Sequence, residues 1–484
     1  MASADIDMFR PPIARGMKVL DRSFFEKTVP LKALRIFDNK NISKVRSQLG
    51  KDVLVQERLA NVYSDPDPER ARSGKKCILL RPDIQGGENG VSDNLSTKKD
   101  PPASPVLRAL LDQQLVSLIP YQLHLDYTYW TYHDVISSIL PLEAQDEIPS
   151  GFAQVGHVAH LNLREEYLPY KHLIAEILMD KNPSVRTVIN KIDDVGQENE
   201  FRTFRYEVLA GPDDMNVTVS EANCTFSFDY SKVYWNSRLQ TEHSRLVASF
   251  TEGEVVCDVM AGIGPFAVPA GKKGVFVWAN DLNPDSHAGL VKAIAKNKVG
   301  EYVKAFHADG REFIRSASSQ LLADEHKVEI RGKASRTEGK QKPVVLKTLV
   351  QPKTFQHFVL NLPASALTFL PSFIGLYPPG LRERIPVGTE MPIIHVYCFS
   401  VKDELVLSES LKEEGTADEA IGSQSGAIES ICAEISQQLK FEMKPGSIED
   451  KGGVAVYDVR DVAPKKRMFC ASFRLPEEVA FRAE

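Results

Sequence analysis

Apolar residues in the second half of the chain recur as short runs between polar segments, and this pattern predicts alternating strands and helices. A helical stretch over 285–298 separates the second run from the third. Short apolar runs bounded by turns are typical of buried strands, and strand–helix alternation favours a parallel sheet covered on both faces. We therefore predict an α/β fold with a doubly wound, Rossmann-like sheet that includes strands at 255–259, 275–281, 305–309, 355–362 and 392–400.

The first half of the chain predicts two further regions, each smaller than the one that contains this sheet. Residues 82–105 are rich in Gly, Ser, Asp and Pro, which is typical of a linker, so 1–105 is expected to form an N-terminal region. Mixed strand and helix patterns over 106–236 predict an α+β domain, and 237–484 would hold the doubly wound sheet. Within that last part, the charged stretch over 316–353 predicts a surface insertion.

A glycine turn follows the first predicted strand of the sheet. The apolar run ends at Asp258, Gly262 and Gly264 come next, and the second run ends at Asp281, 23 residues after Asp258. Glycine allows the backbone to approach a ligand closely, and an acid at this distance is placed to bind the hydroxyls of a ribose. The segment therefore predicts a nucleoside-binding site.

Two residues favour a cationic nucleoside over a dinucleotide. Pro265 removes one backbone N–H at the point where phosphates would need donors. Asp258 would repel a pyrophosphate, whereas its carboxylate suits the sulfonium and amine of S-adenosylmethionine. The turn thus predicts S-adenosylmethionine as the cofactor.

Two further polar positions follow later strands. Asp309 and Gly310 follow the third strand, where an acid can accept a hydrogen bond from adenine, although Asp is equally suited to cap a helix. Asn361 ends the fourth strand in a turn that resembles the Asn/Asp-Pro-Pro-aromatic turn of methyltransferases acting on base nitrogens. That resemblance implies that its amide faces a target base, and a helix cap is the alternative.

Arg238 and His243 precede the first strand of the sheet. Arg238 and Glu242 are four residues apart, so a surface ion pair is the simplest interpretation, and His243 is equally explained as a packing residue. On the residues alone these interpretations are favoured.

Composition limits the function classes. The net charge of −6 gives no global basic signature, so any binding of nucleic acid must come from local patches. The six cysteines form no C-x-x-C pair, which predicts no metal site, no disulfide framework and a reducing compartment. We find no apolar run long enough to cross a membrane.

Five motifs carry a resemblance to a known family. FDYSKVYWNSRLQTEHSRL, DVMAGIGPF, ANDLNP, HADGRE and LNLPASALTFL follow one another between residues 228 and 370. Together they resemble the eukaryotic and archaeal tRNA (guanine-N1)-methyltransferases, which modify guanosine 37 beside the anticodon. The resemblance covers roughly residues 106–400. Met260 stands where the family often has Phe, and Leu362 replaces the proline of archaeal relatives.

The resemblance implies a class I methyltransferase-like fold and a set of site residues. Arg238 and Asn361 would face the target guanine and act in catalysis, which reverses the simpler interpretation of Arg238. The implied partner is tRNA, through its anticodon stem-loop and body, and the protein is expected to be a monomer without a membrane partner. Cytoplasm, nucleus and mitochondrial matrix are the implied locations. Residues predicted to bind S-adenosylmethionine are His243, Asp258, Gly262, Gly264, Asp281, Leu282, Asp309, Gly310 and Asn361.

Three alternatives stay open at this point. A wybutosine-pathway transferase would move the aminocarboxypropyl group of the same cofactor. A noncatalytic RNA-binding protein would retain the fold without the reaction, although the three strand-end acids argue against that. A nicotinamide dehydrogenase is the most distant alternative, because it would need Asp258 to tolerate a pyrophosphate.

Overall fold

The computed structural model describes residues 8–84, 104–145, 148–192, 201, 203–332, 344–401, 417–463 and 466–483. The chain divides into two compact units. The first consists of Met1–Ala153, Ala159–Asn190 and Val208–Pro212, and the second of Gln154–Val158, Lys191–Glu207 and Asp213–Glu484.

Strands occur in both units. Their bounds are β1 Lys27–Ile36, β2 Val62–Ser64, β3 Lys76–Leu79, β4 Val116–Leu125, β5 Ala153–Val155, β6 Val158–Leu161, β7 Thr187–Lys191, β8 Tyr206–Ala210, β9 Asn216–Glu221, β10 Cys224–Asp229, β11 Val255–Asp258, β12 Phe276–Asn280, β13 Val303–Phe306, β14 Lys327–Arg331, β15 Val345–Val350, β16 His357–Leu360, β17 Ile393–Val401, β18 Lys444–Pro445, β19 Gly453–Ala463 and β20 Lys466–Arg474.

Helices connect and cover these strands. The α-helices are α1 Ile42–Leu49, α2 Pro68–Arg72, α3 Pro105–Asp112, α4 Tyr132–Ile139, α5 Lys171–Lys181, α6 Gln240–Ser249, α7 Ala267–Lys272, α8 Pro284–Asn297, α9 Gly310–Ala323, α10 Pro379–Arg382, α11 Ala417–Leu439 and α12 Glu477–Ala480. Short 3₁₀ helices span Arg22–Phe25, Asn39–Asn41, Gly50–Asp52, Leu142–Ala144, Glu165–Tyr170, Ser237–Leu239 and Ala366–Phe373.

The first unit contains an antiparallel sheet in the order β2-β3-β1-β4. β1 pairs with β4 along all ten residues, from Lys27 opposite Leu125 to Ile36 opposite Val116. The linker predicted over 82–105 therefore separates two strands of one sheet, and most of it lies outside the described residues. The division of the chain into three domains stays a prediction.

The second unit is built on an eight-stranded sheet in the order β13-β12-β11-β16-β17-β20-β19-β18. β13, β12, β11, β16 and β17 run parallel, and β20 then pairs antiparallel with β17. All four residues of β11 and of β16 are buried, as expected for central strands covered on both faces. The predicted closing hairpin is present as β19 and β20.

The charged stretch predicted as an insertion divides into two parts. Residues 316–323 belong to α9, where Ala317, Ser318, Leu321 and Leu322 are buried. β14 and β15 form an antiparallel hairpin in which Leu346 and Val350 are exposed, and residues 333–343 between them lie outside the described residues. The exposed part of this stretch therefore begins only after α9.

Two observations concern the earlier compositional predictions. Each of the six cysteines is buried with a free thiol. No described helix combines the length and the apolar character that a bilayer span requires.

Candidate active site

The carboxyl ends of β12, β11 and β16 lie side by side at one edge of the sheet. β11 pairs in parallel with β12 on one side and with β16 on the other. Asp258 is the last residue of β11, Asp281 follows β12 and Asn361 follows β16. Ligands of such sheets bind outside the carboxyl ends of the strands. The fold therefore brings these three predicted site residues to one edge.

The glycine turn after β11 is tied to the end of β12. Ala261 donates its N–H to the carbonyl of Asn280 at 2.7 Å, and Gly262 donates to Oδ2 of Asp281 at 2.7 Å. Gly262 has a φ of +57°, and a Cβ added there would meet open space. Gly264 has a φ of +93°, and its Cβ would come within 2.7 Å of Leu290 Cδ1. Gly262 thus leaves room against the turn, whereas Gly264 permits close packing.

Asp281 is well placed to accept further hydrogen bonds. Its two oxygens accept the N–H groups of Gly262 and Asn283, at 2.7 and 2.9 Å. A carboxylate has about four acceptor positions, so this arrangement leaves capacity for ribose hydroxyls. Burial raises the pKa of Asp281, and the two backbone hydrogen bonds oppose that rise.

Asp258 and Asn361 contain buried polar atoms without partners. Both carboxyl oxygens of Asp258 and Oδ1 of Asn361 are inaccessible to solvent, and none has a hydrogen-bond partner among the described residues. Burial, and after it the charge of Asp281, raises the pKa of Asp258 well above its ordinary value. Buried polar groups are rarely left unpaired, and each exception requires an explanation such as a ligand.

The segment after β13 is held by a helix cap. Oδ1 of Asp309 accepts the N–H groups of Arg311 and Glu312, at 2.8 and 3.3 Å, so this side chain caps α9. Gly310 is tightly packed, because a Cβ there would lie 3.0 Å from the ring of Phe369. The capping alternative is thus what the side chain does in this structure, and its contact with adenine stays a prediction.

Leu282 follows β12, and His243 lies on α6, which precedes β11. Leu282 follows β12 with a side chain that is 40% exposed, and its carbonyl lies 2.9 Å from Nε2 of His307. His243 is buried on α6, and its ring packs edge-on against Phe266 at 4.7 Å. Nδ1 of His243 lies 2.6 Å from the carboxylate of Glu221.

Comparisons with known proteins relate this chain to a protein family. Residues 132–214 match the TYW2 N-terminal domain, and residues 217–328 match the TRM5/TYW2 methyltransferase domain. A tRNA (guanine(37)-N(1))-methyltransferase of Fusarium vanettenii is 50% identical over 487 residues, covering 99% of this chain and 98% of the relative. Its namesake in Neurospora crassa is 49% identical over 99% of this chain and 96% of the relative.

This chain belongs to the tRNA (guanine(37)-N(1))-methyltransferase family. The resemblance found in the motifs is confirmed.

Solved structures share the fold of this methyltransferase. Trm5b from Pyrococcus abyssi superposes with a TM-score of 0.52 at 20% identity, covering 92% of this chain and 99% of that one. The aTrm5 chain of a complex with tRNALeu gives a TM-score of 0.54 at 17% identity, with the same coverage. The predicted class I methyltransferase-like fold is confirmed.

The methyltransferase does not form the ion pair expected between Arg238 and Glu242. Arg238 is exposed in the 3₁₀ turn Ser237–Leu239, and no hydrogen bond of its guanidinium is found among the described residues. Glu242 is buried and instead makes two 2.6 Å hydrogen bonds with Arg245, while Tyr397 donates a third at 2.6 Å. A 3₁₀ turn has three residues per turn, so Arg238 leaves the face that an α-helical spacing would give it.

Sequence reasoning missed Asn280 as an organiser of the site. Its side-chain amide donates to the carbonyls of Val259 and Ala308, each at 3.0 Å, and its Oδ1 accepts the N–H of Ala308 at 2.9 Å. This fully buried side chain therefore ties together the segments after β11 and β13. The available signal was a polar residue at the end of the apolar run VFVWAN.

A cleft of about 380 Å³ opens beside α6 and α7. His243, Val247, Pro265 and Pro269 contribute to its walls, but none of Asp258, Asp281 and Asn361 does. The strand-end edge, rather than this cleft, therefore brings together most of the predicted site residues.

Proposed function

We propose that this protein transfers a methyl group from S-adenosylmethionine to N1 of guanosine 37 in tRNA. The observation that carries the proposal is the unpaired, buried carboxyl group of Asp258 beside the Gly262 turn, in a chain about half identical to curated relatives over nearly its full length. A cationic nucleoside would satisfy this carboxyl group, whereas an anionic one would be repelled by it.

The residues at the edge fit S-adenosylmethionine. Asp281 has acceptor capacity for ribose hydroxyls, and the space beside Gly262 admits a ligand against the backbone. Asp258 supplies negative charge for the cationic end, and the buried Oδ1 of Asn361 supplies an acceptor that lacks a partner among the described residues. These four residues would hold the cofactor through its ribose and its charged end.

The reaction is an in-line displacement, so much of the rate comes from positioning. Bound S-adenosylmethionine would supply an electrophilic methyl group to guanine N1, with the neutral thioether S-adenosylhomocysteine as the leaving group. Guanine N1 would release its proton to water, and the resulting negative charge would spread to O6. The exposed guanidinium of Arg238 supplies a cation for that oxygen, a contribution that grows as the charge develops.

A second candidate reaction is favoured by one observation. Residues 132–214 match a domain described as the TYW2 N-terminal domain. Transfer of the aminocarboxypropyl group of the same cofactor would use the same sheet and the same ribose acid. The two reactions differ in which carbon on the sulfonium faces the base.

The test uses purified protein and two tRNA transcripts that carry guanosine or adenosine at position 37. With cofactor labelled only in its methyl group, we expect label to enter the guanosine transcript alone, with the modified nucleoside heavier by one methyl group. Equal labelling of both transcripts, or no labelling, would refute the proposal. Label entering only from cofactor labelled in the aminocarboxypropyl carbons would instead establish the second reaction.

We further propose that the protein acts as a monomer on the anticodon stem-loop and body of tRNA, in cytoplasm, nucleus and mitochondrial matrix. Affinity for tRNA should fall as salt concentration rises, because phosphate contacts release counterions. Sedimentation at micromolar concentration tests the monomer, and fractionation of cells that express a C-terminally tagged chain tests the locations. A dimer, or absence from any of the three compartments, would contradict the corresponding part.

A further inference from the structure

Glu221 of β9 and His243 of α6 form a buried polar pair. Nδ1 of His243 lies 2.6 Å from Oε1 of Glu221, and the two side chains are only 5% and 3% exposed. Glu221 is the last residue of β9, and the turn that follows contains Ala222 and Asn223 at positive φ. A short contact between buried groups is typical of a charge-assisted hydrogen bond, so the pair fixes both side chains.

The contact assigns a proton to Nδ1 of His243. A carboxylate accepts hydrogen bonds, so Nδ1 must donate to Glu221. Nε2 is then the nitrogen left for another partner, and it is buried without one among the described residues. The hydrogen bond made by one ring nitrogen sets the role of the other. Nε2 is therefore a fixed polar position that a ligand can satisfy.

The position of His243 indicates which end of the cofactor it would meet. Asp281 and Asp309 follow β12 and β13, on one side of β11. The ring of His243 packs on Phe266, which in turn lies 6.1 Å from Tyr397 of β17, on the other side of β11. If ribose and adenine bind on the β12–β13 side, the methionyl end would lie on the side of β11 where His243 packs.

We propose that Glu221 is a positioning residue for the cofactor: it holds His243 so that Nε2–H donates to the carboxylate of the methionyl group. This inference rests on the proposed function. In this arrangement both ring nitrogens carry protons when the cofactor is bound, and the Glu221 carboxylate would compensate the charge of the ring, so the pair would add a donor without adding net charge to the site. The carboxyl group of Asp258 is left for the ammonium group of the same amino-acid end.

The test compares two ligands that differ only beyond the nucleoside thioether. S-adenosylmethionine carries the methionyl group, and 5′-methylthioadenosine lacks the amino-acid end. For Glu221→Gln we expect the calorimetric Kd for S-adenosylmethionine to rise about 10- to 100-fold, the range of a hydrogen bond to a charged group. The Kd for 5′-methylthioadenosine should stay within about twofold, because the nucleoside contacts are untouched.

A matched control and a double variant separate positioning from folding. Glu254→Gln changes another acid beside a buried histidine, His357, at 3.4 Å, and should leave both Kd values unchanged. Combining Glu221→Gln with His243→Gln should add little to His243→Gln alone, because both changes remove one interaction. If Glu221→Gln does not fold, Glu221→Asp provides a second variant, because it retracts the carboxylate by one methylene. It should show the same selective loss of affinity for S-adenosylmethionine.

Three outcomes would overturn the inference. Unchanged binding of S-adenosylmethionine by Glu221→Gln would exclude positioning, and equal weakening of both ligands would show a general structural role. Additive effects of the two substitutions would separate Glu221 from His243. If the unmodified protein binds no S-adenosylmethionine, the proposed function itself fails together with this inference, and that result is distinct from the other three.

Discussion

Asp281 accepts the backbone N–H of Gly262 at 2.7 Å, so the acid after β12 supports the turn after β11. This contact joins two segments that would hold the same nucleoside. The carboxylate therefore has two roles, because it shapes the turn in the free protein and would bind ribose when the cofactor is present.

Asp281→Ala should raise the Kd for S-adenosylmethionine about 10- to 100-fold, since it removes a charged acceptor and the support of the turn. Isothermal titration calorimetry measures this change. Asp285→Asn is a suitable control, because Asp285 lies in the first turn of α8 and its side chain is 51% exposed. Equal affinities for Asp281→Ala and the unmodified protein would remove Asp281 from the site.

Asp258→Asn should stabilise the cofactor-free protein and weaken cofactor binding. Burial raises the pKa of Asp258 in the folded state, so the stabilising contribution of this acid is present at low pH and is lost as pH rises through the folded-state pKa. At pH 8 we expect the variant to gain at least about 1 kcal/mol in free energy of unfolding, because the amide carries no buried charge.

The gain from Asp258→Asn should shrink as pH falls, since protonated Asp and Asn are both neutral. Urea unfolding at several pH values, followed by tryptophan fluorescence, measures this difference in the free energy of unfolding. Trp278 in β12 reports on the eight-stranded sheet of the second unit. A gain that is constant with pH would show that the charge of Asp258 is not its source.

Gly264→Ala and Gly262→Ala should separate stability from binding. Gly264→Ala should lower the free energy of unfolding by about 2 to 4 kcal/mol, because it combines backbone strain with a clash against Leu290 and Val268. Gly262→Ala should cost only about 1 to 2 kcal/mol from its left-handed backbone, but its methyl group would enter the open space of the cofactor site.

Thermal unfolding and the Kd for S-adenosylmethionine check these two glycine variants. The Gly264 variant should show the lower melting temperature, and the Gly262 variant the larger loss of affinity relative to its stability. The reverse order would contradict the assignment of open space beside Gly262.

His395→Gln should reduce the loss of stability that the second unit, which contains the eight-stranded sheet, undergoes at acidic pH. Nε2 of His395 lies 3.0 Å from His357 and its Nδ1 lies 2.8 Å from Ser472, while Glu254 lies 3.4 Å from His357. Burial, and after it the charges of His357 and Arg245, lowers the pKa of His395 well below its ordinary value. The stability contributed by neutral His395 is thus present above the unfolded-state pKa and is lost as pH falls towards the folded-state pKa.

Between pH 7.5 and 5.5 the free energy of unfolding of the unmodified protein should fall by about 1.4 kcal/mol more than that of His395→Gln. The reason is that His395 takes up a proton near pH 6.5 only in the unfolded state. Urea unfolding at the two pH values measures the difference. The exposed His124 provides a control substitution in β4. Identical losses for the unmodified protein and His395→Gln would refute the role of His395.

Arg238→Ala should lower the single-turnover methylation rate about 100-fold, as does removal of one donor to a developing oxyanion in other enzymes. The Kd for S-adenosylmethionine should be unchanged, because the proposed role is towards the base. Arg384→Ala, at another exposed arginine, should leave the rate unaltered. A normal rate for Arg238→Ala at saturating tRNA would exclude the stabilising role.

Local patterns were sufficient to predict the parallel strands and the polar residues that follow them. Asp258, Asp281 and Asn361 come to one edge because parallel strands align their carboxyl ends, a property that each strand–helix–strand segment already implies. The ion pair between Arg238 and Glu242, which the residues alone favoured, was wrong. The i, i+4 spacing does not reveal where a 3₁₀ turn becomes an α-helix.

The sequence by itself therefore determined the family, the sheet type and the order of the strand-end residues, since these depend on short-range periodicity and motifs. Only the tertiary structure decided the contacts of Glu221 with His243, of Asn280 with Ala308 and of His357 with His395, which are separated by 22, 28 and 38 residues. Such contacts depend on which strands become neighbours and which side chains are buried together. Those outcomes are set by the packing of the whole sheet, and no local pattern encodes them.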